Sequence, residues 1–384
     1  MRDALRPESM QEFDHWSERC LLDFEAQKEA GKKVFGIYCV FAPSELVHAA
    51  GGIPVGLCGK KQKPIPDAER VLPANLCPLI KSSYGYALTD TCPYFSLSDF
   101  LIGETTCDGK VKMYELLGRI KPLHLLHQPR SDGPAELQSW LAEMHRLVDF
   151  LETRTGIAIR EDELRRQIES HNAMRRSLKR LIYTCADDPV PLSGLDMMIV
   201  QETKSFAPNL QRYINAVDRL ADEVVALKAK ISGPAVKKPR VLLTGCPVGK
   251  GSEKVIRLIE DCGAAVVCQE NCTGLKSFDL LVDEGEKDPL LALADRYLKT
   301  PCSCMTPNNG RLELLGRLIN DFKIGGVVDL TWQCCHTYNV ESFIIREFVE
   351  EKHGIPMLHI ETDYTDSDSE QLRTRIEAFL EMVL

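Results

Sequence analysis

The sequence predicts an α/β protein with two doubly wound, parallel-sheet (Rossmann-like) domains and a helical segment between them. Short apolar runs alternate with helical segments in the first third of the chain and again in the last third, which is typical of βαβ units. Long helical periodicity without such runs fills the middle. We place the N-terminal α/β domain at residues 1–133, the helical segment at 134–235 and the C-terminal α/β domain at 236–384.

Four short apolar runs in the first domain are predicted to be strands, because they are rich in β-branched and aromatic residues. Residues 1–30 are predicted to be helical and amphipathic, since Trp16 and Phe24 stand among charged residues. SELVHAAGG (44–52) is predicted to be a helix closed by glycine, and another helix starts at about Asp108. The four strands are KVFGIYCV (33–40), PVGLC (54–58), FLIGE (100–104) and HLLH (124–127).

The middle of the chain, from Pro134 to about Ser232, contains three long segments of helical periodicity. GPAVKKP (233–239) has the composition of a linker. Beyond this linker, strands and helices alternate again. The predicted strands are 240–246, 264–270, 325–331 and 356–362, and the predicted helices are 252–263, 289–299, 310–322, 339–353 and the closing SEQLRTRIEAFLEMVL.

Composition narrows the classes of function. The 384 residues are 44% hydrophobic and 27% charged, and 47 basic against 56 acidic residues give a net charge of −9. This acidic balance argues against a nucleic-acid ligand, which needs a basic face. The first twenty residues lack the apolar segment of a secretory signal, and no apolar run approaches the roughly 18 residues of a membrane helix. We therefore expect a cytoplasmic protein that does not insert into a membrane.

Fifteen cysteines are the most informative feature of the composition. Cytoplasmic thiols stay reduced, so clustered cysteines there more often bind metal than form disulfides. Many follow a predicted strand or precede a predicted helix, where parallel sheets bind ligands and the helix dipole favours the thiolate. Cys20, Cys185, Cys262 and Cys268 are better interpreted as packing residues. The segments with thiols at such ends are LCPLIKSS, TTCDGKVKMYELL, TGCPVGKGSEKV and QCCHTYNVESFIIREF.

Other metal and nucleotide motifs are absent from the sequence. Structural zinc sites usually contain closely spaced cysteine pairs, such as Cys302 with Cys304 and Cys334 with Cys335 here, whereas most of the other cysteines are spread through both α/β units. The segment GCPVGKGS has three residues where a phosphate-binding loop needs four before its Gly-Lys pair. No G-x-G-x-x-G follows a strand, and neither G-x-S-x-G nor H-E-x-x-H occurs. If ATP enters the chemistry, we expect another protein to hydrolyse it.

The chain resembles, nearly end to end, the catalytic components of 2-hydroxyacyl-CoA dehydratases. The resemblance rests on GIYCVFAPSELVHAAGGIPVGL, LCPLIKSSYG, TTCDGKVKMYELL, RVLLTGCPVG, ENCTG, GGVVDL and IPMLHIETDYTDSDSEQLRTRIEAFLE in this order. In that family three protein thiolates hold each 4Fe-4S cubane. The resemblance assigns them to Cys77 in LCPLIKS, Cys107 in TTCDG and Cys335 in QCCHTY.

The additional cysteines make the chain most similar to the double-cubane cluster branch of that family. That branch implies an 8Fe-9S cluster, a homodimer, and an ATP-hydrolysing iron–sulfur reductase that delivers low-potential electrons for reduction of small unsaturated molecules. For the second cubane the resemblance favours Cys92, Cys272 and Cys304. Two alternatives remain open. One is a dehydratase subunit, which would be a lyase with one 4Fe-4S cubane. The other is a non-catalytic electron carrier.

Three further residues are candidates for proton transfer. Glu45 follows a proline at a predicted helix start, where a purely structural role is the alternative. Glu270 ends a predicted strand at the same sheet edge as the cysteines. His336 is adjacent to Cys335 and could donate a proton or a hydrogen bond to cluster sulfide, or could simply face solvent.

Overall fold

The computed structural model describes residues 6–230 and 238–383. The predicted linker at 233–239 lies mostly outside the described residues. The strands are β1 (Val34–Ile37), β2 (Ile53–Gly56), β3 (Phe100–Glu104), β4 (Leu123–Leu126), β5 (Arg240–Gly245), β6 (Ala265–Glu270), β7 (Gly326–Trp332) and β8 (Met357–Thr362). The α-helices are α1 (Met10–Asp14), α2 (Trp16–Glu29), α3 (Ser44–Ala49), α4 (Ile65–Ala68), α5 (Pro78–Thr89), α6 (Pro93–Leu97), α7 (Asp108–Leu117), α8 (Pro134–Thr155), α9 (Glu161–Tyr183), α10 (Gly194–Thr203), α11 (Leu210–Lys230), α12 (Lys254–Asp261), α13 (Pro289–Leu298), α14 (Asn309–Asp321), α15 (His336–Glu347) and α16 (Ser369–Val383).

The eight strands form two parallel sheets of four, in the orders β2-β1-β3-β4 and β6-β5-β7-β8. The predicted α/β class with two Rossmann-like sheets is thereby confirmed, and β3 has the predicted bounds. Helices α8 to α11 lie between the two sheets in sequence, where the helical segment was predicted. The residue boundaries proposed for the three domains stay a prediction.

Each sheet has one point at which the strand order reverses. In the first sheet the chain moves from β1 outward to β2 and then returns to the other side of β1 as β3. In the second sheet the corresponding central strand is β5, which pairs with β6 on one side and with β7 on the other. Crevices for ligands open at such reversals, beyond the carboxyl ends of the two central strands. The fold therefore offers one crevice beyond β1 and β3 and another beyond β5 and β7.

The helical segment shields part of both sheets from water. On α8, Trp140, Met144, Leu147 and Leu151 recur at spacings of three and four, and all four are fully buried. They belong to a core that also includes α3 and α13, so residues of both sheet-bearing regions share one apolar cluster with α8. Within the part of the chain that the structure describes, none of the helices combines the length and the apolar character needed to cross a membrane.

Gly245 permits the close contact between the two central strands of the second sheet. It has a positive φ of 107°, and a Cβ there would lie 2.1 Å from the carbonyl oxygen of Leu330. The next residue, Cys246, donates its N–H to that same oxygen at 2.7 Å. A side chain at position 245 would therefore displace β7 from β5 or break this hydrogen bond.

We expect Gly245→Ala to lower the free energy of unfolding by about 1–3 kcal/mol more than Gly31→Ala does. Gly31 is the matched control, since it also has a positive φ, of 92°, but a Cβ there meets nothing within 4 Å. Both variants bear the cost of about 1–2 kcal/mol of placing a side chain at a positive φ. The difference between them therefore measures the clash alone. Urea unfolding monitored by circular dichroism measures both variants, and equal losses would contradict the close-contact argument.

Candidate metal centre

A cavity of about 680 Å³ lies where the crevices of the two sheets meet. Its wall contains residues that follow β1, β2 and β3 of the first sheet and β5, β6 and β7 of the second. Ten of the fifteen cysteines line it, so this is where the fold concentrates its thiols. They are Cys39, Cys58, Cys77, Cys107, Cys246, Cys272, Cys302, Cys304, Cys334 and Cys335.

Three of these thiols, Cys77, Cys246 and Cys335, are neighbours and form the first cysteine triplet. Interaction with the side chains of Cys246 and Cys77 lowers the pKa of Cys335 well below its ordinary value. Cys77 and Cys335 each stand immediately before a helix, α5 and α15. Backbone N–H groups at such helix starts stabilise a thiolate. Because Cys77 comes from the first sheet region and the other two from the second, this triplet joins the two.

Local backbone geometry directs the first triplet toward the cavity. Cys334 has a φ of 61°, a left-handed conformation that non-glycine residues rarely adopt, and it turns the chain from β7 into α15. The N–H of Trp332 donates to the Cys246 sulfur at 3.4 Å. The Cys246 thiol is therefore held by a backbone donor at the end of β7.

A second cysteine triplet consists of Cys272, Cys302 and Cys304. Interaction with the side chains of Cys272 and Cys304 lowers the pKa of Cys302 well below its ordinary value. All three residues follow β6 or α13, and Cys39 from the end of β1 is an electrostatic neighbour of each. Gln128 donates its side-chain amide to the Cys304 sulfur at 3.5 Å. Each triplet thus brings three cysteine side chains together at the cavity.

The predicted ligands are distributed unevenly over this arrangement. Cys77 and Cys335 lie in the first triplet, and Cys272 and Cys304 in the second. Cys107 lies on the cavity wall at the start of α7.

Cys92 does not belong to the cavity wall that the described residues form. It packs against the apolar core, and burial raises its pKa.

The sequence did not single out Cys246 or Cys302 as ligands, although each belongs to one of the triplets. Cys246 ends a predicted strand, which was a usable signal, and Cys302 shares a C-x-C pair with Cys304. Cys246 meets Cys335, and Cys302 meets Cys272, only because the fold brings together segments about 30 or more residues apart in sequence. A local sequence pattern cannot predict such contacts. The four cysteines interpreted as packing residues, Cys20, Cys185, Cys262 and Cys268, lie outside the cavity wall formed by the described residues.

The set of donors fits a sulfur-ligated cluster better than one ion. Among residues 6–230 and 238–383, no three His, Cys, Asp or Glu side chains converge as the ligands of a single metal ion would. The two triplets instead face a shared cavity of about 680 Å³, more than twenty times the roughly 30 Å³ that one water occupies. Iron–sulfur clusters bind thiolates spaced around a large inorganic core, which suits this geometry.

Lysines on the cavity wall provide positive charge near the thiols. Lys60 is ion-paired with Glu202 at 2.7 Å. Burial lowers the pKa of Lys110, but the neighbouring Cys39 and Tyr114 outweigh it and hold the pKa well above its ordinary value. Burial lowers the pKa of Lys204 to about 7. A wall of this kind is suited to an anionic group.

Glu45 lies in a fully buried ion pair. Arg175 donates to one carboxylate oxygen at 2.5 Å, and the Tyr297 hydroxyl donates to the other at 2.7 Å. Burial alone raises the pKa of Glu45, but the Arg175 guanidinium outweighs it and holds the pKa well below its usual range. The pair connects α3, α9 and α13, which favours a structural role for Glu45 over proton transfer.

The other two proton-transfer candidates occupy different surroundings. His336 is exposed and lines the cavity next to Cys335. Glu270 is fully buried at the end of β6, where it accepts a hydrogen bond from the Thr244 hydroxyl at 2.5 Å. It lies behind Tyr338, a cavity residue that the sequence did not identify although it stands three residues after Cys335.

The loop after β5 has little capacity to bind a phosphate. The N–H of Gly249 donates to the Ser252 hydroxyl at 3.0 Å, and the N–H of Lys250 donates to Glu202 at 2.8 Å. The N–H of Gly251 donates to Glu253 at 2.5 Å. These donors are therefore occupied by the chain itself, in line with the failed motif spacing.

Comparison with known proteins identifies the family. A family model described as 2-hydroxyglutaryl-CoA dehydratase, D-component, matches residues 39–383. The chain belongs to this family. It is 44% identical over 375 residues, 97% of each chain, to the putative dehydratase subunit YjiM of Escherichia coli strain K12. The expected membership of the 2-hydroxyacyl-CoA dehydratase family is confirmed.

More distant members of the dehydratase family have two kinds of activity in their names. The beta chain of lactoyl-CoA dehydratase from Anaerotignum propionicum is 26% identical over 94% of each chain. One component of benzoyl-CoA reductase from Thauera aromatica is 27% identical over 152 residues, 38% of this chain and 34% of that one. The chain is thus similar both to dehydratases and, over a shorter stretch, to a reductase, and it is an enzyme component of dehydratase type.

Proposed function

We propose that this protein is an iron–sulfur reductase that holds an 8Fe-9S double-cubane cluster and reduces small unsaturated molecules. The observation that supports it most is the pair of cysteine triplets facing one cavity. Three protein thiolates suffice for one cubane in the family that the chain resembles. Six thiols in two separate groups supply ligands for a second.

The proposed ligands follow the two triplets. Cys77, Cys246 and Cys335 would hold one half of the cluster, with Cys107 on the nearby wall as a further candidate. Cys272, Cys302 and Cys304 would hold the other half, with Cys39 beside them. Cys92 is the predicted ligand that this geometry supports least. When bound, the cluster supplies low-potential electrons to the substrate, and metal binding deprotonates all the ligating thiols.

The protein itself would bind the substrate and supply protons. The cavity encloses the thiols, and Lys60, Lys110 and Lys204 lie on its wall. His336 is the best placed of the three proton-transfer candidates, because its ring is exposed at the cavity beside Cys335. Glu270 would act only through the residues between it and the cavity. Glu45 is bound by Arg175, so we propose a positioning role for it.

Electrons would come from a separate ATP-hydrolysing iron–sulfur reductase, and the working unit would be a homodimer in the cytoplasm. The family description specifies a D-component, which implies further components in the same system. Occupied backbone donors in the loop after β5 agree with ATP hydrolysis by another protein.

Iron and acid-labile sulfide analysis of anaerobically purified protein tests the proposal. We expect about eight irons per chain, twice the four of a single cubane. We also expect acetylene reduction that requires ATP and the partner reductase. About four irons per chain, or iron-loaded protein that reduces no small unsaturated molecule with the reductase and ATP present, would reject it.

A 2-hydroxyacyl-CoA dehydratase component with one 4Fe-4S cubane is the second candidate. The names of the relatives at 44% and 26% identity favour it, since both are described as parts of dehydratases. It predicts about four irons, a different partner chain, and elimination of water from a 2-hydroxyacyl-CoA. Mass spectrometry of the native assembly, together with a dehydration assay, separates the two functions.

A further inference from the structure

The second cysteine triplet is in contact with a buried tyrosine hydroxyl. The Tyr338 Oη lies 3.9 Å from the Cys272 sulfur and 4.0 Å from the Cys302 sulfur. Lys276 donates its ammonium to the same oxygen at 2.7 Å. Since the ammonium occupies a lone pair of the oxygen, the hydroxyl hydrogen is free to point toward the two sulfurs.

Lys276 is a fixed, fully buried positive charge. Its side chain has no solvent exposure, and its Nζ lies 4.8 Å from the centre of the Tyr338 ring. Burial lowers the pKa of Lys276, but the Glu270 carboxylate 3.3 Å away outweighs it and holds the pKa above its ordinary value. Arg311 completes the arrangement, with its guanidinium 5.0 Å from the same ring and 3.4 Å from Glu270.

The two triplets therefore receive different hydrogen bonds. The first triplet is bonded by the backbone N–H of Trp332, which donates to the Cys246 sulfur. The second triplet is bonded by a hydroxyl that a buried ammonium polarises. A nearby cation and hydrogen bonds to ligating sulfurs both stabilise the more negative, reduced state of an iron–sulfur cluster.

We propose that Lys276 and Tyr338 are positioning residues that make the second triplet the end of the metal group where the first electron resides. The inference rests on the proposed function, because it needs metal at both triplets. The two ends of the cluster would then differ in reduction potential. The electron supplied by the partner reductase would be held preferentially on the side of Cys272 and Cys302.

The test is an EPR-monitored potentiometric titration with dithionite on the anaerobically purified, iron-loaded protein. We expect Lys276→Met to weaken the first reduction step by at least about tenfold, which is a shift of about 59 mV to lower potential for one electron. Tyr338→Phe should shift it in the same direction by less, because the ammonium remains. Glu270→Gln should shift it in the opposite direction, since it removes a negative charge beside Lys276.

Lys254→Met is the matched control. Lys254 is also largely buried and ion-paired, with Asp368 at 2.5 Å, but it does not line the cavity. Full iron content with equal potentials in wild type, Lys276→Met and Tyr338→Phe would overturn the inference, and so would the same shift in Lys254→Met. If Lys276→Met fails to fold, Tyr338→Phe and Glu270→Gln still test the inference, because they are expected to shift the reduction potential in opposite directions. Absence of iron from the wild type would instead reject the proposed function and the inference with it.

Discussion

Replacing Cys302 with alanine is expected to remove about half of the iron bound by the purified protein. Cys302 interacts with both other members of the second triplet, so its loss leaves two thiols where three are needed for a cubane. Cys335→Ala should remove the other half for the corresponding reason in the first triplet. Iron is measured per chain after anaerobic purification, and thermal unfolding of each variant confirms that it is folded.

Cys185→Ala provides the comparison for these variants. Cys185 is also fully buried, but it lies near the end of α9 in the apolar core and outside the cavity wall that the described residues form. Its iron content should equal that of the wild type. A Cys302→Ala protein with undiminished iron would mean that the second triplet does not hold metal, and the single-cubane function would then be preferred.

Replacing Arg175 with glutamine is expected to lower the free energy of unfolding by about 3–5 kcal/mol. The change leaves the Glu45 carboxylate buried without its guanidinium partner, and both side chains are almost completely excluded from solvent. The loss arises from this uncompensated charge rather than from the net value of the ion pair. Urea unfolding at neutral pH measures it.

Arg176→Gln is the control at the neighbouring position of α9. Arg176 is about half exposed and pairs with Glu284 at 3.1 Å on the surface. A surface pair of this kind is worth about 0–1 kcal/mol, so the control should unfold almost as the wild type does. The double change Arg175→Gln with Glu45→Gln should recover part of the loss. If Arg175→Gln is no less stable than Arg176→Gln, Glu45 is not held as a structural ion pair and a proton-transfer role regains support.

The architecture could be predicted from the sequence because its signals are local. The run FLIGE has the same bounds as β3, since a short apolar strand followed by polar residues leaves little choice of where it ends. Cysteines at strand ends could likewise be placed at one sheet edge, because parallel strands share a direction. The short helix α4 was not predicted, as its four residues have no helical period.

The membership of the two triplets could not be predicted in the same way. Cys77 and Cys92 have the same local pattern, a cysteine followed by the proline that begins a helix. Only the folded structure separates them, because Cys77 lines the cavity whereas Cys92 does not belong to the wall that the described residues form. The buried charges behind Tyr338 were missed for a related reason: Lys276 looks like an ordinary surface lysine until the fold encloses it.

The thiols of both triplets come from loops and helix starts rather than from strand interiors. Residues that would determine how much metal is bound are therefore separate from residues that build the two sheets. Under the proposed function, relatives could keep the same strands and differ in cofactor. The positions that correspond to Cys272, Cys302 and Cys304 would then distinguish a chain with two cubanes from a chain with one.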